Sequence, residues 1–459
     1  MSLFFNVLGQ FGLCGACRRN INSYLQILTL KLQEDIMVIV LFWDGLRPDF
    51  VRPDLTPHLC QLIDRGVNFR NHHAVFPSET RVNASSVATG CYPGTHGVVG
   101  NRIFVPSVEK HRALNTGDHE DLLAISNNQP LLSVPPLAET LKKRGKTYAI
   151  FSSGSPGSSW VQCAPDMGHM INVRGVVHPE YLRRDIETKY GPLPPESVPA
   201  TSWNDLAVQL MADAIDAQTY DVVFGWLCDP DLTQHKAGLG ADLSLRAIRE
   251  NDNRLAKLLE VCGSADILVC SDHGFSSLAE PFDHREAFVQ AGFDLDSLVW
   301  TGNGVVLREG YKDRLEAVVN FLVRQDFVGP IFTRGAEKQT NGHIAGTFSF
   351  DVPKLNHIRT PDVMFSRRWS ELENEYGVPG HVFGSGGLAS HGSCSPYDLH
   401  SVLVAAGPSF KKGEESVIAS GVVDIAPTVQ KLVFGDVQTL MDGRVLVEGL
   451  MGEVIPQRI

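Results

Sequence analysis

Positive charge is in short supply in this sequence. Forty Lys and Arg stand against 52 Asp and Glu, a formal net charge of −12 at pH 7. Such a balance disfavours binding to a nucleic-acid polymer, although a local basic pocket remains compatible with it. A disulfide framework is also missing. The nine cysteines are odd in number, and Cys228, Cys262 and Cys270 lie in or beside apolar runs, as reduced thiols do. Cys14 and Cys17 form one CxxC pair with no second pair after it, which argues against a zinc ribbon. Residues 1–20 are mildly apolar but too short to span a bilayer, and no positive segment precedes their apolar part. No membrane span and no secretory signal are expected, so the cytoplasm is the default location. Repeats and low-complexity tracts are absent. With 43% hydrophobic and 20% charged residues, the composition is that of a globular protein.

What is present is a rhythm of apolar strands and amphipathic helices. IMVIVLFWDG, from residue 36, is apolar on both faces, as a strand in the middle of a covered parallel sheet must be. The pattern returns in YDVVFGWLCDPD at 220–231, in ADILVCSDHG at 265–274 and in HSVLVAAGP at 400–408. Helical segments lie between, at 56–66, 203–218 and 245–263. The expected fold is therefore α/β, with a doubly wound, mostly parallel central sheet flanked by helices. Residues 1–36 read as an N-terminal extension, and 37–278 with 386–459 as the metal-binding core. The stretch 279–385, richer in charge, Gly and Pro, reads as an inserted cap that shapes a substrate pocket.

Three of the strands end in aspartates: Asp44, Asp231 and Asp272. Ligands of open α/β sheets gather at that edge. An Asp after a strand is usually a cap or turn residue, but here histidines accompany the set. Asp231 and His235 are four apart, which puts both on one face of a helical turn. His273 follows Asp272, and His391 sits in a Gly/Ser-rich loop ahead of the fourth strand. Three aspartates and three histidines exceed what one tetrahedral zinc needs. Two divalent cations are expected, Zn²⁺ first and Mn²⁺ as the alternative, an arrangement suited to in-line phosphoryl displacement. FPSETRVN, residues 76–83, then supplies a hydroxyl at a helix start. Thr80 is either an N-cap or a metal-activated nucleophile, and Asn83 either a turn residue or an amide donor to a phosphoryl oxygen.

Taken in order, VLFWDGLRPDF, FPSETRVNASSVATGCYPGTHGVVGN, DPDLTQHKAG, SDHGF and SHGS resemble the alkaline phosphatase superfamily, closest to its nucleotide pyrophosphatase/phosphodiesterase (type I phosphodiesterase) branch. The resemblance implies one metal held by Asp231, His235 and His391, and a second held by Asp44, Thr80, Asp272 and His273. It implies Thr80 as the nucleophile, passing through a phosphothreonine intermediate, and Asn83 as the phosphoryl-oxygen donor. The expected substrate is a small phosphoester or pyrophosphate of nucleotide type. A phosphonoacetate hydrolase-like enzyme and a non-catalytic phosphoanion-binding relative are the alternatives. Where family phosphodiesterases commonly read TFPNH, this chain has Thr80, Arg81, Val82, Asn83 and Ala84, so Arg81 is free to meet an extra substrate charge.

Overall fold

A computed structural model describes residues 37–281, 283–384 and 387–453. The expected extension at 1–36, with Cys14 and Cys17, and the expected return to the core at Gly386 lie outside the described residues. Val38–Trp43 forms β1, and all six of its side chains are buried. Strand alternation sends Val38, Val40 and Phe42 to one hydrophobic cluster and Ile39, Leu41 and Trp43 to another. A helix layer covers each face, which is why this strand has no polar side.

The layers follow from the helices. α1 (Pro57–Arg65) and α2 (Thr80–Thr89) are followed by α3 (Thr201–Asp216), α4 (Asp231–Ala237) and α5 (Asp242–Val261). α2 sends Val82, Ala84 and Val87 into the first cluster. Leu59 and Leu62 of α1, Val208 and Met211 of α3, and Ile248 and Leu255 of α5 enter the second. Each such buried Val, Leu, Ile or Met side chain contributes about 1.5–3 kcal/mol.

Eight further strands complete the central sheet: β2 (Val67–Phe69), β3 (Tyr148–Ser152), β4 (His169–Asn172), β5 (Val176–His178), β6 (Val222–Leu227), β7 (Asp266–Cys270), β8 (Leu403–Ala406) and β9 (Glu414–Ser416). The spatial order is β9-β2-β8-β7-β1-β6-β3-β4-β5. β7, β1, β6, β3 and β4 run parallel to one another. The fourth apolar run, β8, departs from the parallel rhythm expected of it, because it lies antiparallel to both β7 and β2.

The stretch after β7 builds sheets of its own. Leu298–Trp300, Gly304–Leu307, Val363–Arg367, Val328–Thr333 and Phe348–Ser349 form a five-stranded sheet around a separate cluster that includes Phe288, Val305, Val319 and Phe365. The boundary expected at 278/279 falls inside the strand Ser276–Pro281, which pairs with Pro379–Gly384. All seven described cysteines are free thiols.

Candidate metal centre and nucleophile

The ladder sets Phe42 opposite Cys270 and Trp43 opposite Leu227. Asp44 and Asp272 therefore leave their strands at one level, and the chain after Leu227 turns into α4 with Asp231 as its first residue. The turns are stitched together: Asp231 N–H donates to Asp44 O at 2.9 Å, and Gly45 N–H donates to Asp272 Oδ1 at 3.1 Å. Gly45 holds φ +72°, and a Cβ there would stand 3.0 Å from Phe275 and 3.1 Å from Asp231. Only glycine suits that turn.

The three histidines are oriented alike. Nδ1 of His235 donates to Ala389 O at 2.9 Å, that of His273 to Gly274 O at 2.9 Å, and that of His391 to Ser78 O at 2.7 Å. Each ring thereby presents its Nε2 lone pair inward, the arrangement of metal-ligating imidazoles. Asp231 Oδ1 lies 3.5 Å from His235 Nε2 and 3.3 Å from His391 Nε2. His273 Nε2 lies 3.4 Å from Asp44 Oδ1 and 3.2 Å from Asp272 Oδ2. Among the described residues two groups could hold a metal ion: Asp231, His235 and His391, and Asp44, Asp231 and His273.

The chemistry of these atoms fits cations. Asp44 Oδ1, Asp231 Oδ1 and Asp272 Oδ2 are buried and have no hydrogen-bond partner. Acceptor faces acceptor across 3.2–3.5 Å, which is unfavourable unless a proton or a cation lies between them. Burial, reinforced by the charges of Asp272 and Asp231, pushes the Asp44 carboxyl well above its ordinary range. Burial likewise pushes Asp272 up to about 7, while it holds His273 well below the usual imidazole value. A dry cluster of three carboxylates is an anionic well.

Thr80 opens α2, and its Oγ1 stands 3.2 Å from His273 Nε2, so the hydroxyl donates to that ring. All seven expected ligand residues thus converge on one sheet edge. Asn83 departs from its expected role as a phosphoryl donor. It is fully buried, its Oδ1 accepts from Val75 N–H at 2.8 Å, and its Nδ2 donates to Glu79 O at 3.0 Å. The amide braces the loop. Asn101, which sequence reasoning passed over, touches α2 instead: its Oδ1 accepts from Arg81 N–H at 3.1 Å, and its own N–H donates to Glu79. The signal that finds it is the GVVGN turn, residues 97–101.

Other side chains weighed from the sequence resolve into structure. Trp43 and Phe76 are buried in the core. Arg47 is buried too, donating to Phe275 O and Pro379 O and pairing with Asp49. His96 accepts or donates to Ser86 Oγ at 3.0 Å, and His72 meets Ser420 Oγ at 2.9 Å, away from the ligand groups.

The family model for type I phosphodiesterase / nucleotide pyrophosphatase matches residues 38–369. The chain belongs to this family. Among its curated members, the venom phosphodiesterase of Naja atra is 22% identical over 400 residues, covering 82% of this chain and 42% of the relative. The ectonucleotide pyrophosphatase/phosphodiesterase C27A7.1 of Caenorhabditis elegans is 22% identical over 395 residues, covering 82% and 40%. The chain thus spans about two-fifths of the length of these relatives. Murine ectonucleotide pyrophosphatase/phosphodiesterase 5, solved as an inactive variant in complex with AMP, shares the fold with a TM-score of 0.63 at 16% identity, covering 89% of this chain and 97% of that one. The cytoplasmic expectation finds no support in family members named for venom or as ectonucleotide enzymes. Among the described residues no helix is long and apolar enough to cross a membrane.

Proposed function

We propose that this protein is a metal-dependent hydrolase of phosphodiester or pyrophosphate bonds, with Thr80 as nucleophile, acting on small nucleotide-type substrates. The observation that carries the reading is the Thr80 hydroxyl, buried 3.2 Å from His273 Nε2 beside three unpartnered carboxylate oxygens. Asp231, His235 and His391 would hold one divalent cation, and Asp44, Thr80, Asp272 and His273 a second; zinc suits the mixed oxygen and imidazole donors, with manganese next. Bound there, the cations would supply Lewis acidity, lowering the pKa of the Thr80 hydroxyl and drawing charge from the phosphoryl oxygens.

Thr80 Oγ1 attacks phosphorus in line, forming an ester to the threonine as the bond to the leaving alcohol or nucleotide breaks. Water then cleaves the phosphothreonine and restores the hydroxyl. The N-terminus of α2 stabilises negative charge beside Thr80. Asn101, whose carbonyl is taken by Arg81 N–H, has its Nδ2 to offer a phosphoryl oxygen in place of Asn83. AMP, held by the murine structure, is a ligand of the size this site would take.

The test is turnover of bis(4-nitrophenyl) phosphate by wild type and Thr80→Ala, each loaded with zinc and then with manganese. Zinc at about two equivalents per chain, with activity abolished in Thr80→Ala at unchanged metal content and far-UV spectrum, is the expected result. Retained activity in Thr80→Ala removes the nucleophile. A metal-free, inactive protein that binds phosphoanions would favour the non-catalytic reading.

A further inference from the structure

Ten residues build α2, and Arg81 alone among them is not buried. Its Nε is enclosed all the same and has no hydrogen-bond partner. Among the described residues, no carboxylate, carbonyl or hydroxyl accepts from the rest of its guanidinium either. An arginine cannot shed its proton to escape such a setting. Burial pushes its pKa down, while the charges of Glu79, Asp44 and Asp231 push it back up. Asp44 feels the same attraction in return. A cation that served only to balance the anionic well would do so best in an ion pair with one of those carboxylates, and an enclosed, unpaired fork is the less favourable arrangement. The fork is left for something that is not part of the chain.

Where it sits follows from Asn101. Asn101 Oδ1 accepts from Arg81 N–H at 3.1 Å, which joins the two residues at the start of α2. Thr116 donates to Asn101 O twice, from its N–H at 3.0 Å and from its Oγ1 at 2.9 Å. The next residue, Gly117, is the one the guanidinium lies along: a Cβ there would stand 3.4 Å from both Cζ and Nε of Arg81. Gly117 is fixed in turn, its N–H donating to Asn115 Oδ1 at 3.0 Å. One short loop therefore holds Asn101 and flanks Arg81. The Asn101 Nδ2 and the Arg81 guanidinium are donors left unused there, beside Thr80.

Which oxygens such donors can meet is set by the ester. Around a phosphorus attacked by Thr80 Oγ1, three substituents remain besides the leaving group. In a phosphodiester one of them is an ester oxygen, uncharged and carrying carbon. In a phosphomonoester all three are terminal oxygens that share two negative charges. A guanidinium offers N–H donors only, in a planar fork, and gains most from a pair of charged acceptors.

We propose that Arg81, alongside Asn101, receives the terminal oxygens of the scissile phosphoryl group and so extends the substrate class to phosphomonoesters. The inference rests on the hydrolase reading above. Within it, Arg81 selects by the charge on phosphorus and not by the alcohol or base that leaves.

Arg81→Ala and Arg81→Met test it, the second keeping an unbranched chain against Gly117 without the charge; neither takes a side-chain hydrogen bond away from the fold. With zinc-loaded protein, kcat/KM is measured for 4-nitrophenyl phosphate and for bis(4-nitrophenyl) phosphate, which share a leaving group and differ in charge. Wild type is expected to turn over both, and each substitution to lower kcat/KM for the monoester about 10- to 100-fold more than for the diester. Equal losses on the two, no loss on the monoester, or a wild type confined to the diester overturn the role of Arg81 and leave the hydrolase reading standing. Should wild type turn over neither ester, the hydrolase reading fails by itself, and calorimetry on the zinc-loaded protein decides the rest. Inorganic phosphate is then expected to bind about tenfold more weakly to both variants than to wild type, while dimethyl phosphate binds all three alike. Equal phosphate binding, or the same loss for both anions, overturns the proposal.

Discussion

Asp272→Asn is expected to stabilise the metal-free protein and destabilise the metal-loaded one. In the absence of cations the Asp272 carboxylate is a liability: it is fully buried, its Oδ2 has no partner, and burial raises its pKa to about 7. Moving from the ordinary 3.8 to about 7 corresponds, at about 1.4 kcal/mol for each pH unit, to about 4 kcal/mol at most. The folded pKa is the higher one, so the native state binds more protons than the unfolded chain between these values. The associated stability is fully present below pH 3.8 and is lost as pH rises through 7. Asparagine removes the charge and keeps the geometry. Its Oδ1 still accepts from Gly45 N–H, and an uncharged amide NH₂ takes the place of Oδ2 at 3.2 Å from His273 Nε2. Urea unfolding in chelator should therefore show the variant ahead by about 2–4 kcal/mol at pH 8, with the advantage shrinking toward pH 5. With zinc added the order reverses, because the amide is a poorer ligand than the carboxylate. A variant no more stable than wild type at pH 8 in chelator would refute the anionic-well account of the site.

Two further substitutions act around the ligands. Trp226→Phe removes the indole N–H that donates to Asp44 Oδ2 at 2.9 Å while leaving the ring stacked on Phe42 at 4.5 Å; a loss of about 1–3 kcal/mol is expected in urea unfolding of the metal-free protein. Asp398→Ala unties two ligand loops at once, since Oδ1 accepts from Ser276 Oγ at 2.5 Å and Oδ2 from Ser393 N–H at 3.0 Å; zinc affinity should fall about 10- to 100-fold by competition with a chelating dye, although no ligand has been altered.

Much of the clustering of these carboxylates and imidazoles was legible because a parallel sheet leaves little freedom at its edge. A strand apolar on both faces must be central, and adjacent parallel strands end at one level. Aspartates placed two residues past Phe42 and Cys270 therefore meet whatever the loops do. The four-residue spacing of Asp231 and His235 falls on α4, so helix geometry alone brings them together. Direction was not legible in the same way. A strand buried on both sides reads alike forwards and backwards, and β8 is antiparallel because the chain enters it from the His391 loop at the sheet edge occupied by the ligands.

Asn83 and the arginines that line one cavity, Arg102, Arg285 and Arg367 among them, show the other limit. With α2 starting at Thr80, residue 83 turns back under the first turn, where the Glu79 carbonyl and the Val75 N–H claim both ends of its amide. Nothing in FPSETRVN distinguishes that from an outward-facing donor, since the difference of one helical turn is set by where the helix begins. The arginines at 102, 285 and 367 lie too far apart in sequence for any spacing rule, and each alone looks like an ordinary solvated cation. Gly304–Leu307 and Val363–Arg367 pair in one sheet, and Asn303 and Arg367 anchor that sheet to the neighbours of His391. The loop that carries His391 is thus tied to the lining of that cavity through Asn303 and Arg367.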